Sequence, residues 1–217
     1  MVENSNKFII EIKEATKSFK NQTVLQDINL NFEKGKIYGI RGRNGSGKTM
    51  LLRVMCGLVI PDSGEAYVNG VNITKKKTLP ENVGALIENP GFINYYSGFK
   101  NLKILSSIKG KIDDKKIHDT LELLGIDNVC NKKVRTYSLG MRQRLGIVQA
   151  LMEDPEILLL DEPTNALDND GIKLFHDILK ELKSKGTTIV LSSHNKEDLD
   201  LLCDTVMEMD CGKLVIN

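Results

Sequence analysis

The sequence predicts an α/β protein with a parallel-sheet core, an N-terminal antiparallel β subdomain and an inserted α-helical subdomain. Three observations predict it. Residues 8–13, 23–32 and 66–73 alternate apolar and polar side chains, the period-two pattern of half-buried strands. Residues from about 90 to 150 change to helical spacing. Beyond Pro155 short apolar runs alternate with helical segments, as in a parallel sheet covered on both faces.

Each element follows from its own residues. The alternation over 23–32 stops at the Lys34-Gly35 turn, and residues 66–73 carry the Asn69-Gly70 turn signal, so these stretches read as one antiparallel sheet with residues 8–13. Residues 36–40 form a short apolar strand that leads into a helix over 50–57, the first strand-helix unit of the core. In the middle, Leu102, Leu105 and Ile108, then Ile117, Leu121 and Leu124, recur at helical intervals. A strand over 157–160, a helix over 172–183, a strand over 188–191, a helix over 196–203 and a last strand around 213–216 complete the chain. One domain over 1–217 is expected, with a core and β subdomain (1–89 and 151–217) and a helical subdomain (90–150).

Composition removes several function classes. With 30 Lys+Arg against 29 Asp+Glu in 217 residues there is no basic excess to suit a nucleic-acid partner. The run Lys75 to Lys77 reads as a solvated loop. Cys56, Cys130, Cys203 and Cys211 are far apart, with no C-x-x-C pair and no His at ligand spacing, so they read as reduced thiols. No apolar run approaches the ~18 residues of a membrane span. The polar stretch 1–7 lacks the apolar segment of a secretory leader, which gives a cytoplasmic expectation.

Three segments carry chemistry. Gly42-Arg43-Asn44-Gly45-Ser46-Gly47-Lys48-Thr49 matches G-x-x-x-x-G-K-[S/T] between a strand and the helix opened by Met50. Such a loop wraps backbone N–H groups around phosphates, its lysine reaches the β and γ phosphates, and Thr49 is expected to ligate Mg²⁺. The apolar strand at 157–160 delivers Asp161 and Glu162 at its C-terminal edge, where Asp161 would hold Mg²⁺ through water and Glu162 would polarise the attacking water. The strand at 188–191 ends in Ser192-Ser193-His194, whose imidazole is placed to hydrogen-bond the γ-phosphate. His118 and His176 receive no role.

Ser138-Leu139-Gly140-Met141-Arg142-Gln143-Arg144, followed by Leu145 to Leu151, resembles the signature segment of ATP-binding cassette (ABC) proteins, and the resemblance runs over nearly the whole chain. It implies a P-loop NTPase core of RecA-like type, with ATP and Mg²⁺ as ligands. It implies further that Phe19 stacks on adenine, that Ser138, Leu139, Gly140 and Met141 act on the ATP of a partner subunit, and that Ala166-Leu167-Asp168 crosses to that partner. The expected assembly is an ATP-dependent homodimer, or a pairing with a similar ATPase subunit, at the cytoplasmic face of the membrane through a separate permease. Two departures point to the subfamily serving bacitracin resistance and lantibiotic immunity exporters, hence to export of an antimicrobial peptide. The signature reads Tyr137-Ser138-Leu139-Gly140-Met141, and Glu88 stands in the segment 85–92 where the family normally has glutamine. Glu88 is accordingly expected to contact the metal through water and to link nucleotide state to the permease.

Of six Phe and five Tyr, the cluster Phe92, Tyr95, Tyr96 and Phe99 falls beside Glu88 and suits a groove for a helix of that permease. Two other readings compete. Asn195-Lys196-Glu197-Asp198 spells the N-K-x-D pattern by which GTPases read guanine, but that reading leaves Ser138 to Arg144 and Asp161-Glu162-Pro163-Thr164 unexplained. An ABC ATPase acting on DNA or ribosomes would carry long coiled coils or a second cassette.

Overall fold

Two sheets and the helices around them build the molecule, and the computed structural model describes residues 7–20 and 22–215. The polar stretch Met1 to Asn6 and Ile216, both used in the sequence reading, lie outside the described residues. The first sheet holds β1 (Phe8–Phe19), β2 (Gln22–Glu33), β4 (Ser63–Val68) and β5 (Val71–Asn72) in the antiparallel order β2-β1-β4-β5. The second contains β3 (Ile37–Arg41), β6 (Val83–Leu86), β7 (Ile157–Asp161), β8 (Thr188–Ser193), β9 (Thr205–Asp210) and β10 (Lys213–Val215) in the order β10-β9-β3-β8-β7-β6. All its pairs are parallel except the β9–β10 hairpin.

Strand β1 runs past the expected residue 13. At Glu14 the backbone turns left-handed (φ 51°) and the register with both neighbours shifts before Ala15 and Thr16. A bulge of this kind breaks the two-residue alternation without ending the strand. Strands β6 and β9 were not anticipated. In β6 the small residues Gly84 and Ala85 mute the pattern, and Gly84 has to be small because a Cβ there would lie 2.0 Å from the Ala150 carbonyl oxygen. In β9, Met207, Glu208 and Met209 have little intrinsic strand preference, and pairing with β3 supplies what composition does not.

The central parallel strands β7 and β8 are largely apolar because each face covers a different core. Ile157 and Leu159 of β7 and Val190 of β8 join the core shared with β1, β2 and helix α1 (Lys48–Met55). Leu158, Leu160, Ile189 and Leu191 turn the other way, toward the helical lobe of α3 (Gly98–Lys109), α4 (Asp114–Leu123) and α5 (Leu139–Leu151). Helices α6 (Asn169–Ser184) and α7 (Lys196–Leu202) pack on this second face through Phe175, Ile178, Leu179, Leu199 and Leu202. Truncating one fully buried leucine here, such as Leu160, costs about 2–5 kcal/mol.

Two local expectations are corrected. Ile108 is 77% exposed and does not belong to the buried stripe of α3. Six residues after Leu102 is about 240° around a helix, whereas Ser106, four residues on, falls on the inner face and is buried. Lys75 and Lys76 belong to a helical turn, α2 (Ile73–Lys76), capped by Asn72, and Lys75 pairs with Glu65 at 2.5 Å.

Candidate active site

The parallel strands β3, β6, β7 and β8 all end at one edge, so the segments that follow them converge there. The loop after β3 becomes residues 42–49, β6 leads to Glu88, β7 to Asp161 and Glu162, and β8 to His194. This is the sheet edge at which open α/β folds bind ligands. A cleft of about 400 Å³ opens there, lined by Val24, Asn44 to Met50, Arg53, Glu88, Asp161 and Glu162. A larger cavity of about 850 Å³ lies elsewhere, against Phe8, Leu79 and Glu156, and none of these chemistry-bearing residues lines it.

Helix α1 is built to receive an anion. It starts from Gly47, whose backbone is left-handed (φ 109°), with no side-chain cap and no acidic residue in the first turn. Helices α2 to α7 each carry a side-chain cap, from Asn72, Ser97, Asp113, Ser138, Asp168 and Asn195. The free N–H groups and positive end of α1 therefore face the cleft without an internal partner. No side chain is possible at Gly47: a Cβ would stand 2.7 Å from the Val24 carbonyl oxygen and 2.8 Å from Met209 Cε. The loop is fastened from below, where Gly212 donates its N–H to the Ser46 carbonyl at 2.9 Å and accepts from Gln26 N–H at 2.8 Å.

The charged groups are tied in a network. Lys48 is buried and donates to the carbonyls of Gly42 at 2.7 Å and Arg43 at 3.2 Å, with Glu162 Oε1 3.6 Å away. Thr49 donates its hydroxyl to Asp161 Oδ2 at 2.7 Å, and Ser192 donates to Asp161 Oδ1 at 2.5 Å. Glu162 has its backbone left-handed (φ 48°) and accepts from the His194 imidazole, Oε2 to Nδ1, at 2.9 Å. With an ionised carboxylate as acceptor, Nδ1 carries the proton and Nε2 is left free.

The residues suit Mg²⁺ and a triphosphate on grounds independent of the motif. Glu162 Oε1 and Ser46 Oγ are buried side-chain oxygens with no hydrogen-bond partner, and both residues line the cleft. Buried polar atoms are normally satisfied, so these are places where a ligand is expected. Thr49 and Asp161 form an all-oxygen pair of the type Mg²⁺ selects.

Some predicted residues lie outside the cleft. Phe19 sits at the β1–β2 hairpin end, 47% exposed, with Lys17 Nζ 5.3 Å from its ring centroid, while Val24 of the same hairpin is the one that lines the cleft. Ser138, Leu139, Gly140 and Met141 open α5 and line a separate depression with Ala166, Leu167 and Asp168. Ser138 caps α5 by accepting from Met141 N–H, and a Cβ on Gly140 would lie 2.7 Å from the Ala166 carbonyl oxygen. Gln143 spans from this helix to the site, donating to the Pro163 carbonyl at 2.9 Å. Arg144 bonds the Leu124 carbonyl and Asp168, and the Gly171 N–H and Arg144 hold the Asp168 carboxyl below its usual range. Arg53 lies in no motif, and Gln143 and Ser192 lie within segments the sequence singles out but receive no role from them, since each acts through tertiary geometry.

Elsewhere the fold brings His118, Asp127 and Cys130 within 4.8 Å of one another, which chain spacing concealed. Burial and the charge of Asp127 push the Cys130 thiol up in pKa. The guanine-type stretch has structural work instead. Asn195 caps α7, and Asp198 accepts from Thr164 at 3.3 Å.

A family model described as ABC transporter matches residues 25–165. The chain belongs to the ABC transporter family. As an ABC cassette it is 48% identical over 206 residues to YybJ, an uncharacterized ABC transporter ATP-binding protein of Bacillus subtilis, covering 95% of this chain and 94% of that one. It is 40% identical over 210 residues to the bacitracin transport ATP-binding protein BcrA of Enterococcus faecalis (96% of this chain, 68% of BcrA). It is 34% identical over 208 residues to the lantibiotic transport ATP-binding protein SrtF of Streptococcus pyogenes (96% and 90%). In fold it matches a dimeric, post-hydrolysis ATP-binding cassette bound to ADP and Pi, with a TM-score of 0.88 at 24% identity over 95% of this chain and 97% of that one. The chain is thus an ABC-type ATPase and transporter ATP-binding protein, with relatives in bacitracin and lantibiotic transport. Among the described residues no helix is long and apolar enough to cross a membrane.

Proposed function

We propose that this chain is the ATPase subunit of an exporter for an antimicrobial peptide of bacitracin or lantibiotic type, acting at the cytoplasmic face of the membrane on a separate permease. In this reading two copies close head to tail on two ATP molecules. The observation that supports it is the separation of the two expected phosphate-binding segments: residues 44–50 line one cleft, and Ser138 and Gly140 line another together with Ala166 to Asp168. One chain thus presents two half-sites, and a second copy completes both.

Within each completed site the residues divide the work. The N–H groups of residues 45–49 and Lys48 bind the phosphates, with Phe19 beside the base. Lys48 exchanges its loop carbonyls for phosphate oxygens. Glu162 Oε1, buried without a hydrogen-bond partner and 3.6 Å from Lys48 Nζ, accepts a proton from the attacking water, and the Nδ1–H of His194 holds the other carboxylate oxygen in place. Thr49 and Asp161 would hold Mg²⁺, with Glu88 reaching it through water. When bound, the metal supplies positive charge to the transferring phosphoryl oxygens. Ser138 and Gly140 present the capped end of α5 to the partner's γ-phosphate, so hydrolysis removes the bridge and the copies part.

The permease contact is proposed near Phe92, Tyr95, Tyr96 and Phe99, with a division among them. Phe92 and Phe99 pack against the core of the helical lobe, and Phe99 stacks on His118 at 4.6 Å. Tyr95 is 72% exposed and Ile93 48%, which leaves these side chains for a partner. The closing of two copies is tested with Glu162→Gln, which keeps the size of the side chain and removes the base. Light scattering should give twice the monomer mass with saturating MgATP and the monomer mass without it. A monomer under both conditions would refute the two-copy site.

A further inference from the structure

Arg53 belongs to no phosphate-binding motif, yet it lines the cleft together with Glu88. Its guanidinium forms an ion pair with the Glu88 carboxylate, Nη2 to Oε2 2.8 Å, in a pair whose side chains are 33% and 58% exposed. Arg53 lies four residues after Thr49 on α1, so it stands on the helix face that also presents the Thr49 hydroxyl to Asp161. Glu88 follows β6 in a left-handed conformation (φ 57°) that a non-glycine residue adopts only when its surroundings hold it. The cleft therefore gathers three carboxylates, Asp161, Glu162 and Glu88, against two cations, Lys48 and Arg53. Lys48 is committed to the loop and to Glu162, which leaves Arg53 as the group that neutralises Glu88.

We propose that Arg53 is a positioning residue that holds Glu88 away from the metal position, so that the guanidinium and Mg²⁺ compete for one carboxylate. The inference rests on the reading of the cleft as a Mg-nucleotide site and assigns the control over Glu88 that this reading lacks. Two consequences follow from charge. Without Arg53, Glu88 faces an incoming metal-free triphosphate as an unscreened anion and weakens its binding. With Mg²⁺ present the freed carboxylate serves the metal, and binding strengthens. Arg53 therefore reduces the dependence of nucleotide binding on metal. Both side chains are solvent-accessible, so the change in the affinity ratio is modest, roughly three- to fivefold.

The test measures affinity of the full chain for a fluorescent, slowly hydrolysed ATP analogue, once in excess Mg²⁺ and once in EDTA. Wild type is compared with Arg53→Gln, Arg53→Lys, Glu88→Gln and the Arg53→Gln/Glu88→Gln double variant. The ratio of the two affinities should rise roughly three- to fivefold in Arg53→Gln. It should return to the wild-type value in Arg53→Lys, and adding Arg53→Gln to Glu88→Gln should leave it unchanged. Equal weakening in Mg²⁺ and EDTA would overturn the proposal, and so would a ratio change that survives in the Glu88→Gln background, because Arg53 would then be acting on the phosphates directly. A wild-type chain that binds in neither condition overturns the nucleotide site itself. The two failures are thereby told apart.

Discussion

Ser192 offers the most quantitative probe of the site. Its hydroxyl is fully buried and donates to Asp161 Oδ1 at 2.5 Å, while its oxygen accepts from the Glu162 N–H at 3.2 Å. Ser192→Ala changes volume little, so the cost is that of a buried carboxylate losing a charge-assisted donor, about 1.5–3 kcal/mol. Ser193→Ala is the internal comparison. Ser193 is equally buried but accepts only from the neutral Asn195 N–H at 3.0 Å, which puts its cost at about 0.5–1.5 kcal/mol. Urea unfolding of the metal-free chain should show both midpoints lowered with unchanged slope, Ser192→Ala by clearly more. For a chain of this length the larger effect corresponds to a melting temperature lower by roughly 3–12 °C. Equal losses in the two variants would refute the argument that Ser192 supports a charged carboxylate.

Gly47→Ala should lose nucleotide binding and at least about 1 kcal/mol of stability, from the φ of 109° and the contacts with Val24 and Met209; calorimetry with MgATP would show it, and retained binding would contradict the cradle. Burial holds His176 below its ordinary pKa, against the pull of Asp198 3.7 Å away, so below about pH 6.5 the unfolded chain binds a proton that the folded chain resists. Its contribution to stability is therefore complete above pH 6.5 and declines as pH falls toward the folded-state value, and His176→Leu should flatten the denaturant midpoint measured between pH 7.5 and 5.5. Tyr95→Ala with Tyr96→Ala should release the permease in detergent pull-downs while ATP affinity is unchanged; a complex that persists would move the contact elsewhere.

The candidate segments were legible wherever they are written contiguously. Gly42 to Thr49, Asp161-Glu162 and Ser138 to Met141 are local patterns whose spacing reflects local backbone geometry, and the central parallel strands β7 and β8 are plain because burial on two faces makes them largely apolar. What stayed hidden was fixed by tertiary contact. Gly84 and Ala85 look like a loop until the end of α5 is seen pressed against them. The Arg53–Glu88 pair joins a helix to a strand end 35 positions later, a separation no periodicity records. The aromatic cluster divided for the same reason: one sequence stretch sends Phe92 and Phe99 inward and Tyr95 outward, and composition alone does not distinguish them.

The fastening of the phosphate loop bears on how the molecule folds. Residues 42–49 are contributed early, but the group that holds Ser46 is Gly212, itself tied to Gln26, and Met209 seals the space below Gly47. The contact between Ser46 and Gly212 joins segments far apart in the chain, so it can form only once the segment carrying Gly212 is present. A growing chain therefore has its nucleotide motif translated long before that contact can form. The fastening beneath the loop is complete only with the β9–β10 hairpin, which joins the nucleotide motif near the start of the chain to residues near its other end.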